Sequence, residues 1–146
     1  MKRFQFQLER VRRWRLEQLD LEELKLQQVR AERQTLADAK QRVREGLAKS
    51  AQEVLAQPSM PGLELENLDS YRIHVRQRVR SFENLEQQVE VKVMEQRGRV
   101  LEARRQCELL DGLRQKAFAK WKAAVDREQE ALAGELFLSR STRNRG

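Results

Sequence analysis

The sequence predicts an all-α protein, two long helices folded back on each other as an antiparallel coiled-coil hairpin, and three observations lead there. Charged residues make up 36% of the 146 and aromatics only 5%, whereas an ordinary soluble domain carries about 25% charge. Apolar residues recur at alternating steps of three and four through most of the chain, the period of a helix seam. Both prolines fall together, at Pro58 and Pro61, with Gly62 directly behind them. Thr, Tyr and Ile are scarce, which argues against a sheet.

Helix 1 is expected over about 3–57. Its stripe runs through Phe4, Leu8, Val11, Leu19, Leu26, Val29, Leu36, Val43, Leu47, Ala51 and Val54. Arg15, Glu22, Arg33 and Lys40 hold the remaining stripe positions and make this seam imperfect. The turn is expected at 58–63, because prolines remove backbone donors and bar a continuous helix, while Gly62 supplies the freedom a reversal needs. Helix 2 is expected over about 64–140. Val75, Val79, Phe82, Val89, Val93, Val100, Ala103, Cys107, Leu110, Ala117, Trp121, Ala124, Ala131 and Leu138 form one regular stripe. A repeat near 3.5 sustained this long is a coiled-coil seam, and each helix therefore needs a partner.

The nearest partner is the other helix, since a short connection sets consecutive helices antiparallel. A reversal near residue 60 places position i opposite roughly position 121 minus i, from coiled-coil pairing. Val11 then faces Leu110, Val29 faces Val93, Val43 faces Val79, and Glu22 faces the neighbourhood of Arg99. At 1.5 Å per residue the helices would measure roughly 80 and 115 Å, so the end of helix 2 is expected to overhang. A hairpin whose seams satisfy each other is expected to be monomeric alone.

The net charge of +7 is uneven. Residues 1–15 carry six positive and one negative side chain, residues 112–146 eight and four, and residues 48–70 one and four. A hairpin would gather the first two stretches at one basic end and leave an acidic tip. Arg and Glu interleave along most of the chain, the mark of a solvated, salt-bridged coiled-coil face, and we expect no nucleic-acid partner. Candidate catalytic, metal-binding and cofactor-binding residues are none. His74 is the only histidine and has no carboxylates at catalytic or metal-ligand spacing, and the chain has no Gly-rich phosphate loop. Cys107 falls on the seam, where a free cysteine packs as a small apolar group. The start of the chain lacks the apolar core of a signal peptide and no segment reaches the roughly 20 apolar residues of a membrane span, so a cytoplasmic location is expected.

The few aromatics concentrate near the ends, Phe4, Phe6 and Trp14 on one side and Phe118, Trp121 and Phe137 on the other. Phe4 and Trp121 could cap the seam. Phe137, with Leu136 and Leu138, lies in the overhang and should seek another protein. Leu63, Leu65, Leu68, Tyr71 and Ile73 form a second apolar group near the turn.

The opening Phe4-x-Phe6-x-Leu8-Glu9-x-Val11-x-x-Trp14-Arg15, running into a charged helix, resembles the FliJ family of flagellar type III export proteins. The resemblance extends to Leu110, Leu113 and Lys116, to Trp121-Lys122 before an Arg-rich end, and to Tyr71 just after the Pro/Gly break. Arg15, Glu22 and the Leu136–Leu138 cluster depart from that family's pattern. The resemblance implies a two-helix stalk similar to the coiled coil of the gamma subunit in rotary ATP synthases. It implies binding to a hexameric export ATPase, to the membrane export gate FlhA and to export chaperones, with no hydrolysis by the stalk itself, and a peripheral place at the cytoplasmic face of the inner membrane. Joined to the charge pattern, it makes Phe4, Arg12, Arg13, Ala131, Leu136, Phe137, Leu138 and Arg140 the expected ATPase-facing residues. Tyr71, Ile73 and His74 are the expected gate-facing ones. Two other readings stay open: the equivalent stalk of a virulence-type III secretion system, and a generic coiled-coil scaffold.

Overall fold

The computed structural model describes residues 2–57 and 62–146. They form two helices, α1 (Glu9–Leu55) and α2 (Gly62–Asn144), packed on each other as an antiparallel hairpin, and no strand occurs among the described residues. The expected turn falls largely on residues 58–61, which lie outside the described residues. Gly62 and Leu63, expected in that turn, belong instead to the first turn of α2, and Gly62 has no positive φ. A glycine is tolerated at a helix start, and Glu64 in the same turn suits the positive end of the helix dipole.

The helix limits differ from expectation at two other places. α1 begins at Glu9 rather than near residue 3, and residues 2–8 form a non-helical arm. The Glu9 amide donates to the Phe6 carbonyl (3.1 Å), and the Arg12 amide opens the helical ladder on the Leu8 carbonyl (2.8 Å). Phe4, Phe6 and Leu8 repeat every two residues, the period of extended chain rather than of helix. α2 continues to Asn144 instead of stopping near 140. The hydroxyls of Ser139 and Thr142 bond carbonyls one turn back (both 3.0 Å), so these polar residues sit in the helix without leaving a donor unpaired.

Packing divides the chain into two units. The first comprises residues 21–100. Its core is Leu26, Leu68, Val75, Val89, Val93 and Val100, all buried, with Val93 the most enclosed at 1% exposed. Sealing a side chain of this size from water contributes about 1.5–3 kcal/mol. Leu68, grouped from sequence with the apolar residues near the turn, extends the stripe by one heptad before Val75. Most inward residues of α1 are only half-buried, because a single facing helix covers one side of each. Ion pairs flank this core: Lys40 Nζ lies 3.1 Å from Glu86 Oε1, Arg33 reaches Glu90 at 3.1 Å, and Lys92 reaches Glu32 at 3.8 Å. The exposed pairs Arg33–Glu90 and Lys92–Glu32 contribute at most about 1 kcal/mol each and chiefly specify the pairing, while Lys40–Glu86 is part-buried.

Glu22 was expected opposite the neighbourhood of Arg99, and its partner lies one helical turn from that residue. Glu22 meets Gln96, whose side-chain amide donates to the Glu22 backbone carbonyl (2.9 Å) and to its carboxylate. Gln96 is buried in the stripe between Val93 and Val100, and its amide satisfies the half-buried Glu22 across the seam.

The second unit comprises residues 2–20 and 101–146. Cys107 and Leu110 are its buried residues. Burial pushes the Cys107 thiol up from its ordinary pKa, with Asp111 adding to the effect and Arg15 and Arg12 opposing it. Val11, expected opposite Leu110, is instead exposed. The inward position goes to its neighbour Arg12, which Asp111 binds across the seam.

Candidate protein-docking surfaces

In the unit formed by residues 2–20 and 101–146, the arm crosses α2. Phe4 meets Phe118 edge-on with ring centroids 5.2 Å apart and Trp121 at 5.8 Å, while Phe118 and Trp121 lie 5.6 Å from each other. Offset and edge-to-face aromatic pairs contribute about 0.5–1.5 kcal/mol beyond their burial. The Trp121 indole N–H donates to the Lys2 carbonyl at 3.1 Å and pins the arm. The Arg114 guanidinium stands 5.6 Å above Phe4.

Next to this cluster, Glu9 gathers three arginines. Its Oε1 receives the Arg12 guanidinium at 3.1 Å and lies 3.6 Å from Arg13, and its Oε2 lies 3.7 Å from Arg114. Arg12 also donates from Nε to Asp111 Oδ1 at 2.8 Å, a bond that raises its already high pKa despite partial desolvation. The candidate site residues thus separate. Phe4 and Arg12 hold the arm and α1 on α2. Arg13, its side chain 75% exposed, keeps most of its guanidinium free for another molecule.

Beyond Val125, residues 126–140 of α2 are exposed throughout. Leu132, Leu136, Phe137 and Leu138 are 56–72% exposed, and Ala131 and Arg140 accompany them. Large apolar side chains grouped on a solvated helix mark an interaction surface. They are not confined to one face: Leu136, Phe137 and Leu138 are consecutive and point around the helix.

In the unit of residues 21–100, Tyr71 lies against α1. A Cβ built on Gly46 would stand 3.6 Å from its hydroxyl. Its ring lines a cavity of about 260 Å³ with Ser50, Val54, Glu64, Asn67 and Leu68. Ile73 and His74 point outward and are exposed, Ile73 by 56%. Only part of the Tyr71 surface is therefore available to a partner.

No group of three or more His, Cys, Asp or Glu side chains able to hold a metal occurs among the described residues, and no described helix is long and apolar enough to cross a membrane. No protein-family model matches the chain, and neither a curated protein nor a solved structure is significantly similar to it.

Sequence reasoning missed Glu9, Asp111 and Arg114 as the network that holds the arm end, and it named Phe118 among the end aromatics without pairing it with Phe4 and Trp121. For Phe118 a signal existed, since it lies three residues before Trp121 on a helix and i,i+3 aromatics share a face. For Glu9 the i,i+3 and i,i+4 spacing to Arg12 and Arg13 was a local signal, whereas for Asp111 none existed, because its partner Arg12 lies on the opposing helix.

Proposed function

We propose that the chain is a coupling stalk of a flagellar type III export apparatus, which binds the hexameric export ATPase and links its cycle to the export gate FlhA. The single observation that carries this reading is the exposed, largely apolar stretch of α2 from Ala131 to Arg140, which no segment of α1 covers. Arg13, Arg140, Arg143 and Arg145 add positive charge to the same unit, and charge of one sign speeds encounter with an acidic partner. The resemblance of the Phe4–Arg15 opening to the FliJ family supplies the identity of that partner.

In this reading Ala131, Leu136, Phe137, Leu138 and Arg140 enter a central opening in the ATPase ring, with Arg13 at the rim. Ile73, His74 and the free edge of Tyr71 meet the gate. The stalk catalyses nothing and acts by stabilising the assembled ring and transmitting its state. Export chaperones, a role in motility and chemotaxis, and a peripheral place at the inner membrane follow from the same reading. The test is affinity capture of the full chain from a flagellated cell extract. A co-purifying hexameric ATPase supports the proposal; its absence under conditions that retain other export components counts against it.

A further inference from the structure

Beside the aromatic cluster, and apart from the exposed stretch at 131–140, lies an open groove of about 390 Å³. Its floor and walls include Phe6, Leu8, Leu113, Ala117 and Trp121, with Lys120 beside them. The volume is within the range of about 300–1,000 Å³ usual for ligand sites. Leu8 and Leu113 are 40% and 48% exposed, so the apolar lining faces solvent.

The segments that build this groove carry charge of one sign. The two segments that build it, residues 2–8 and 112–122, contain Lys2, Arg3, Arg114, Lys116, Lys120 and Lys122 and no carboxylate. The nearest acidic residues in sequence, Glu9 and Asp111, are already bound to Arg12, Arg13 and Arg114. An apolar trough with Lys120 in its lining, built from two segments that carry cations and no carboxylate, matches an amphipathic helix whose apolar side chains fill the trough while its carboxylates meet the lysine. A nucleic-acid strand fits less well. It would need free aromatic faces for base stacking, and here Phe4, Phe118 and Trp121 turn against one another.

We propose that this groove is a docking site for an acidic amphipathic helix of a partner protein, with leucine-like anchors seated over Leu8, Leu113 and Ala117 and carboxylates on Lys120 and its neighbours. The proposal rests on the groove alone and does not depend on what the stretch at 131–140 binds.

Trp121 lines the groove and reports its occupancy. In the full chain carrying Trp14→Phe, Trp121 is the only tryptophan. The probe is a synthetic helical peptide with leucines at i, i+4, i+7 and i+11 on a glutamate background. Two controls accompany it, one with lysine replacing glutamate and one with serine replacing leucine. Saturable change in Trp121 emission with the acidic leucine peptide alone is expected, weakening with salt. Lys120→Glu and Leu113→Ser should each reduce affinity at least tenfold. Both side chains are exposed, and unchanged thermal melting by circular dichroism confirms that each variant is folded. Equal binding of the lysine peptide, or indifference of the acidic peptide to both substitutions, overturns the proposal. So does displacement of the acidic peptide by an equimolar single-stranded oligonucleotide.

Discussion

The side-chain amide of Gln96 lies 2.9 Å from the backbone carbonyl oxygen of Glu22 and also reaches the Glu22 carboxylate, inside a stripe otherwise filled by Val93 and Val100. A single buried polar residue in a coiled-coil seam fixes register at some cost in stability. Replacing Gln96 by Leu should leave the melting temperature unchanged or higher, because no amide then needs a partner. It should also broaden the spin-label distances measured across the seam between residues 21–55 and 64–100. A single narrow distance distribution in Gln96→Leu would show that the valines alone set the register.

Burial within the 21–100 unit predicts a contrast between two valines of α2. Val93 is 1% exposed and Val91 is 58% exposed. Val93→Ala should cost about 2 kcal/mol, from two lost methylene equivalents and the space left behind. Val91→Ala should change stability by less than about 0.5 kcal/mol. Urea unfolding of the two variants side by side measures both. Equal losses would mean that the seam does not follow the stripe described.

The stripe itself was legible in the sequence because a buried seam must repeat near 3.5 residues, and Val75, Val89, Val93, Val100, Cys107 and Leu110 all lie buried where that period puts them. The choice between Val11 and Arg12 was not. They are adjacent, and only the position of Asp111 on the other helix decides that Arg12 turns inward. The arm was misread for a different reason. Phe4 and Leu8 fit a helical stripe as well as an extended one, and the two-residue spacing of Phe4, Phe6 and Leu8 was outweighed by the long helical pattern behind it. Of the candidate site, exposure at 131–140 followed from unequal helix lengths. The groove did not, since the helical period that the sequence favours over residues 3–8 leaves no extended arm to wall it.

Glycines inside α2 offer a second test of its regularity. A Cβ on Gly98 would meet nothing within 4 Å, so Gly98→Ala gains helix propensity without a clash and should stabilise by about 0.5–1 kcal/mol. At Gly46 the Cβ would touch only the Tyr71 hydroxyl, at an ordinary 3.6 Å. Gly46→Ala should therefore also fold and melt no lower than the parent. A drop in melting temperature for Gly98→Ala would mean that its face of α2 is covered.

Cys107 gives the pH dependence a definite sign. Its thiol is buried and titrates above the ordinary value of 9.0, chiefly through desolvation. A group whose pKa is raised on folding contributes stability that is whole below the unfolded pKa and is lost as pH rises through the folded one. The difference in stability between the parent and Cys107→Ala should therefore be constant up to about pH 8 and shrink progressively above it, as the unfolded thiol ionises. Reaction of Cys107 with a disulfide reagent in the folded protein should be slow at neutral pH and accelerate in denaturant. A difference that grows with alkalinity would contradict the buried thiol.

The functional reading stands or falls with the exposed stretch Ala131–Arg140. Ending the chain after Asp126 removes it, while leaving Trp121, Phe4 and the Glu9 network in place. Each buried Leu or Phe contributes roughly 1.5–3 kcal/mol, so losing Leu136, Phe137 and Leu138 from an interface should weaken it far more than tenfold. The decisive measurement is binding and stimulation of the purified export ATPase by the full chain and by the chain ending at Asp126. The account predicts that the shortened chain melts within a few degrees of the full one yet neither binds nor stimulates. Undiminished binding and stimulation by the shortened chain would contradict it.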